Sequence, residues 1–346
     1  MQVDLRSDTV TLPSPAMREA MYRAELGDDV FGEDPTVNRL QEMAAARLGK
    51  EAALLVVSGT MGNLVSALTH CGRGDEMILG DRSHMFLNEA GGTAALGGIH
   101  SYQIRNRPDG SLDPADVERA IRSDNVHYPR SRLVCLENTH NRCYGAALTR
   151  AQTAAVANVA HAHGLAVHLD GARIFNAAIA LGVDVKTLVA DVDSVQFCLS
   201  KGLAAPVGSV ICGTKDFIRE ARRSRKVVGG GMRQAGIIAA AGIVALEQMV
   251  DRLADDHRNA RLLAEGIAET PGLATELERV QTNILYFDVA TDRITATQLV
   301  ERLRQRGVGM LTTGPHTIRA VTHYGIEEKD IHIALRAIRQ VMEEAM

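Results

Sequence analysis

Val195-Gln196-Phe197-Cys198-Leu199-Ser200-Lys201-Gly202 is an apolar run that ends in a lysine and opens into a glycine-containing loop. The run is short, and its β-branched and aromatic members suit a buried strand. Working outward, Leu165-Ala166-Val167-His168-Leu169 has the same character and ends in Asp170, followed by Gly171-Ala172-Arg173. Residues 53–57 run into Ser58-Gly59-Thr60, and further strands are expected at 77–79, 133–136 and 209–212. Between them, residues 150–163 and 183–190 carry helical patterns. Strands alternating with helices imply an α/β fold, a mostly parallel sheet covered on both faces. Ligands of such sheets bind at the carboxyl ends of strands. Asn138, Asp170 and Lys201 each fall at such an end, so one crevice is expected to hold all three.

The chain changes character over residues 235–249, where Ala, Gly and Ile dominate an apolar helix. Residues 251–269 read as an amphipathic helix, with Leu253, His257, Ala260 and Ala264 at helical spacing, broken by Pro271-Gly272. Strands expected at 284–289 and 317–322, with helices at 297–306 and 329–344, make a small α+β unit. The expected division is therefore 1–249, an N-terminal segment with a large ligand-binding domain, and 250–346, a smaller C-terminal domain. A helix rather than a flexible tether joins them.

At 346 residues, 46% hydrophobic and 23% charged, the chain has the length and composition of a soluble globular enzyme. Aromatics are only 3% and Trp is absent, so aliphatic residues must fill the interior. A net charge of −4 gives no reason to expect nucleic-acid binding. The cluster Arg219, Arg222, Arg223, Arg225, Lys226 reads as a solvated helix face. Five cysteines without CxxC spacing read as reduced core residues of a cytoplasmic protein. Met1-Gln2-Val3-Asp4-Leu5-Arg6 lacks a signal-peptide pattern, and no apolar stretch is long enough to span a membrane. No HExxH spacing occurs among the 12 histidines, so no metal is expected.

A lone lysine is ordinarily a surface residue, but the company of Lys201 argues otherwise. An amine becomes a Schiff-base nucleophile where burial or a nearby cation lowers its pKa. Phe197, Leu199 and Ala204-Ala205-Pro206 offer an apolar wall for that purpose. Asp170 either caps the following helix or pairs with a protonated pyridine nitrogen, a pairing that low dielectric strengthens. Ser58-Gly59-Thr60 precedes a helical run, and amides and hydroxyls there suit a phosphate. Such turns are common, yet neither GxGxxG nor GxxxxGK is present to support a dinucleotide or ATP. A lysine, a carboxylate and a phosphate cup at three strand ends are the parts of a pyridoxal 5'-phosphate site. His84 is placed to stack on a cofactor ring, and His127 to reach a substrate hydroxyl. The plain alternative for each is a loop histidine. Arg173 and Arg319 are candidates to grip a substrate carboxylate, because a guanidinium offers two parallel hydrogen bonds.

Six motifs then carry a resemblance: Asp4-Leu5-Arg6-Ser7-Asp8-Thr9-Val10-Thr11, Gly27-Asp28-Asp29-Val30-Phe31-Gly32-Glu33-Asp34-Pro35, Glu137-Asn138-Thr139-His140-Asn141, His168-Leu169-Asp170-Gly171-Ala172-Arg173, Leu199-Ser200-Lys201-Gly202-Leu203 and Gly229-Gly230-Gly231-Met232-Arg233-Gln234. With Arg319-Ala320-Val321-Thr322-His323 they run the length of the chain and resemble the low-specificity L-threonine aldolases. The resemblance implies a fold-type I pyridoxal-phosphate enzyme that cleaves L-threonine or its allo isomer to glycine and acetaldehyde. It implies a homotetramer of catalytic dimers. It assigns Lys201 to the Schiff base, Asp170 to the pyridine nitrogen, and Ser58, Gly59, Thr60 and Ser200 to the cofactor's surroundings. His84 would stack on the ring, His127 would contact the substrate hydroxyl, and Ser7, Arg173 and Arg319 would hold the carboxylate. Lys226 and Arg233 would serve the cofactor phosphate across a subunit boundary. Two departures stand out: Phe31 replaces a common Tyr, and Arg142-Cys143-Tyr144-Gly145 replaces the usual Gly-Lys or paired-Gly loop. The alternatives are another pyridoxal-phosphate reaction (racemisation, transamination or β-elimination) and a catalytically silent sugar- or nucleotide-binding α/β protein.

Overall fold

A seven-stranded mixed sheet organises the structure, a computed structural model that describes residues 2–345. Its strands are β1 (Ala52–Val56), β2 (Asp75–Gly80), β3 (His100–Ile104), β4 (Arg130–Glu137), β5 (Ala166–Asp170), β6 (Ser194–Cys198) and β7 (Ser209–Gly213). They lie in the order β1-β7-β6-β5-β4-β2-β3. β7 runs antiparallel to both neighbours, and the remaining pairings are parallel. β5, β6 and β7 are buried almost throughout, as strands covered on both faces must be, which is why they read as continuous apolar runs. The edge strand β3, His-Ser-Tyr-Gln-Ile, is half exposed and has no such run, so it escaped the sequence reading.

Polar residues at period two mark one face of the central strands: His168 and Asp170 on β5, Ser194 and Gln196 on β6. The helix Gly59–His70 lies against that face and presents Asn63 and His70, seven residues apart, to it. Its glycines permit the approach. A Cβ on Gly59 would stand 2.8 Å from Cys198 Sγ, and one on Gly62 would stand 3.3 Å from Gln196 Cβ. Ser58 starts the helix by accepting a hydrogen bond from Met61 N at 3.1 Å.

The apolar stretch at 235–249 forms the helix Gly236–Val244 and widens into a π-helical turn, Ala245–Met249. After the helix Leu253–Ala268, an antiparallel sheet places Leu311–Thr312, Thr317–Val321, Ile284–Val289 and Leu273–Ala274 side by side. Ala296–Gln305 and Glu328–Ala345 complete this unit. Its own core includes Leu263, Phe287, Leu299 and Ile338, and also Val3 and Leu5. Val3–Asp4 pairs in parallel with Val308–Gly309, so the N-terminal strand packs with the C-terminal unit and not with the large sheet. The helix expected at 183–190 is one turn, Val185–Leu188, capped by Asp184. Arg225 departs from the solvated face expected of its cluster. It is buried, donating to Leu55 O and Asp29 Oδ2 at 2.7 Å each. All five cysteines are buried and unpaired. Among the described residues no helix is long and apolar enough to cross a membrane.

Candidate active site

A cleft of ≈ 720 Å³ opens between the carboxyl ends of the large sheet and the C-terminal sheet. Ser7, His84, Arg173 and Lys201 line one side, and Tyr286, Thr313 and Arg319 the other. Lys201 follows β6, and among the described residues its Nζ has no hydrogen-bonding or ion-pair partner. Its backbone carbonyl accepts from Thr11 Oγ1 and Ala204 N.

Asp170, the last residue of β5, is 3% exposed. Its Oδ1 accepts from Gln196 Nε2 at 2.6 Å and Ala172 N at 3.1 Å, and its Oδ2 from Asn63 Nδ2 at 2.9 Å. Burial favours the protonated acid. The charges of Lys201 and His84 and the two side-chain amides outweigh it and hold the carboxyl below its usual range.

His84 begins a one-turn helix, His84–Leu87, after β2. Its backbone N donates to Glu137 Oε2 at 2.7 Å, and its Nδ1 lies 2.8 Å from Glu89 Oε1. The bond to Glu89 raises the imidazole pKa against the opposing effect of burial. Burial in turn raises the Glu89 carboxyl. With Nδ1 engaged, Nε2 is the nitrogen left for chemistry.

Arg173 requires a correction to the expected two-bonded grip on a substrate. Its Nε and Nη2 are already engaged by Asp8 at 2.6 Å each, leaving Nη1. Both partners are buried. Although burial works against ionisation, Arg173 brings the Asp8 carboxyl down to about 2. Arg319 donates to Asn141 Oδ1 at 3.0 Å and Arg6 O at 3.2 Å, while its buried Nε is unsatisfied. Ser7 Oγ accepts from Thr9 N at the edge of the same cleft.

Of the sequence candidates, Ser7, His84, Arg173, Lys201 and Arg319 line this cleft; Asp170 is buried behind it, and Ser58, Gly59, Thr60, Ser200, His127, Lys226 and Arg233 are not among its lining residues. His127 is exposed in the loop before β4, at the amino end of a parallel strand, whereas the cleft lies at the carboxyl ends. Arg233 pairs with Asp28 at 3.0 Å, and Lys226 lies along Gly231. Gly230 beside them packs on Met61, at the start of the helix Gly59–His70. Asn138 is a clasp whose side-chain amide bonds both backbone groups of Leu148. Its neighbours do more at the site. Glu137 accepts from the backbones of His84 and Asn141, and Asn141 holds Arg319. Phe31 is 73% exposed, whereas Arg142 and Tyr144 of the second departing loop line the cleft. Sequence reasoning assigned no role to Asp8, Asn63, Glu89, Glu137, Asn141 or Gln196. All but Glu89 sit in or beside stretches already singled out, where a polar residue destined for burial was the available signal.

A family model described as Beta-eliminating lyase matches residues 4–291. The chain belongs to the beta-eliminating lyase family. Within this family it is 48% identical to low-specificity L-threonine aldolase 1 of Arabidopsis thaliana, over 98% of this chain and 96% of the relative. It is 46% identical to the low specificity L-threonine aldolase of Escherichia coli K12, over 95% and 96% respectively. The fold matches a solved threonine aldolase from Leishmania major with TM-score 0.82 at 20% identity, covering 98% and 99% of the two chains. A putative L-allo-threonine aldolase from Listeria monocytogenes matches with TM-score 0.79 at 19% identity, over 98% and 96%. The architecture is that of fold-type I pyridoxal-phosphate enzymes, and the family's cofactor fits the residues present. Asp170 is a buried carboxylate held ionised by the nearby charges of Lys201 and His84, and Lys201 lines the cleft with its Nζ unengaged among the described residues.

Proposed function

We propose that this member of the beta-eliminating lyase family is a low-specificity L-threonine aldolase. With pyridoxal phosphate it reversibly cleaves L-threonine, L-allo-threonine and related β-hydroxy-α-amino acids to glycine and an aldehyde, acetaldehyde in the case of threonine. The observation that carries the reading is that Lys201 and His84 line one cleft with the buried Asp170 carboxylate near enough to feel both charges, in a chain nearly half identical to such aldolases.

When bound, the cofactor supplies a ring that accepts the electron pair left on Cα as the Cα–Cβ bond breaks. Lys201 Nζ would hold it, and Asp170 would pair with its pyridine nitrogen and favour the protonated form. The Ser58 and Thr60 hydroxyls and the first-turn amides from Gly59 onward would hold its phosphate, with Ser200 serving the cofactor beside Lys201. His84 would lie over the ring, and its Nε2 would take the proton of the substrate β-hydroxyl while Glu89 steadies Nδ1. Ser7, Arg173 through Nη1, and Arg319 hold the substrate carboxylate, which fixes the Cα bond presented to the ring. His127 can meet substrate only in another subunit's cleft.

Self-association into catalytic dimers and a homotetramer goes with this reading. Leu12, Tyr22, Leu26, Phe31 and Val227 are exposed apolar residues, and Lys226 and Arg233 stand outside their own chain's cleft. In that arrangement Lys226 and Arg233 serve the neighbouring subunit's phosphate. Five unpaired thiols support a cytoplasmic location. Incubation with L-threonine tests the function directly. Glycine and acetaldehyde are expected in equal amounts, whereas 2-oxobutanoate with ammonia would establish β-elimination instead.

A further inference from the structure

A chain of side chains, buried apart from the half-buried His70, runs from His70 across β6 and β5 to Asp170. His70 Nε2 lies 2.8 Å from Ser194 Oγ, which lies 2.8 Å from His168 Nδ1. His168 Nε2 lies 3.1 Å from Asn63 Oδ1. Asn63 Nδ2 donates to Asp170 Oδ2 at 2.9 Å and to Glu89 Oε1 at 2.8 Å. Asn63, His168 and Ser194 are at most 1% exposed, and none of the four relay residues lines the cleft.

Every proton in this chain has one place. Two carboxylates face Asn63 Nδ2, and an amide NH₂ has a hydrogen for each. Asn63 Oδ1 therefore faces His168 and requires an N–H at its Nε2. Burial, with His70 nearby, pushes the His168 pKa down to about 3, so the ring is neutral and its Nδ1 is bare. That nitrogen accepts the Ser194 hydroxyl hydrogen, and Ser194 Oγ in turn accepts from His70 Nε2–H. His70 is neutral as well: burial brings it down to about 4 against the charge of Asp193. The donors all point one way, and they end on the carboxyls of Asp170 and Glu89.

We propose that His70, Ser194, His168 and Asn63 form a directional donor relay that holds Asp170 as an ionised carboxylate, and so keeps the cofactor's pyridine nitrogen protonated. They are positioning residues, since none touches the cleft. Asn63 donates to both neighbouring carboxyls, yet burial raises Glu89 while the charges of Lys201 and His84, with the amides, hold Asp170 low. The link to the pyridine nitrogen rests on the function proposed above. The proton placement does not.

The test has two readouts on the full-length holoenzyme. In protein carrying ring-¹⁵N histidine, His70 and His168 are expected to stay neutral with the proton on Nε2 between pH 5 and 9. An Nδ1–H form of either, or titration above pH 6, overturns the relay. The second readout is the absorbance titration of the lysine-linked cofactor without substrate. A protonated pyridine nitrogen withdraws electrons and lowers that midpoint, so weakening the relay raises it. His168→Phe is expected to raise it by about half a pH unit, the scale of one lost hydrogen bond, and Ser194→Ala by less. His168→Gln, which keeps a donor toward Asn63, restores it. An unchanged midpoint in folded His168→Phe reduces His168 to packing and overturns the proposal. If that variant fails to fold, an unchanged midpoint in Ser194→Ala does the same. Correct tautomers in a protein that binds no pyridoxal phosphate would uphold the proton placement and sink the proposed function instead.

Discussion

Asp8 and Arg173 close a two-bonded ion pair, each bond 2.6 Å, between the N-terminal segment and the residue three positions beyond Asp170. The pair is buried on both sides, and Asn283 Nδ2 adds a third donor to Asp8 at 3.3 Å. It carries the N-terminal segment onto the loop after β5, and Arg173 lines the cleft.

Removing one member of such a pair leaves an uncompensated buried charge. Asp8→Ala is expected to destabilise the fold by about 3–5 kcal/mol in urea unfolding, and to raise KM for threonine. The acid limb of stability has a definite sign. The folded Asp8 pKa of about 2 lies below the unfolded value of about 3.9, so the pair's contribution is complete above roughly pH 4 and is lost as pH falls toward 2. Asp8→Asn should flatten that limb, seen as a smaller loss of melting temperature between pH 4 and 2.

The Glu89 bond raises the imidazole pKa of His84, so the acid limb of kcat/KM is expected above the ordinary histidine value of about 6.5. Glu89→Gln takes away the anion that raises it, and the limb should move to lower pH. An unmoved limb would mean that another group accepts the hydroxyl proton. His84→Phe should lower kcat/KM for threonine and allo-threonine together.

Arg319 has a buried Nε without a partner and is steadied by Asn141. Arg319→Gln is expected to raise KM for L-threonine at least about tenfold, as loss of a charge-assisted bond to a carboxylate would. Asn141→Ala should raise KM less, because the guanidinium remains but is no longer aimed. Equal KM values in Arg319→Gln and parent would remove Arg319 from the substrate site.

The strand ends were legible because β5 and β6 are buried on both faces and so print continuous apolar runs that stop at Asp170 and just before Lys201. The turn at Ser58 was legible because a helix start must leave amides free. Residues that act from beneath were not. Asn63 lies within a helix, and its role depends on His168 and Asp170, more than a hundred residues away. Asp8 meets Arg173 across 165 residues. His127 is a site candidate by its chemistry and by the family resemblance, and its place before β4 puts it at the opposite end of that strand from its own chain's cleft.

Borohydride reduction of the protein equilibrated with pyridoxal phosphate, followed by peptide mass mapping, tests the central claim most directly. A single phosphopyridoxyl adduct is expected on the peptide containing Lys201, together with loss of the visible absorbance. Lys201→Ala should show neither adduct nor absorbance, with cleavage reduced by about a thousandfold or more. An adduct on a different lysine, or near-normal threonine cleavage by Lys201→Ala, would contradict the account.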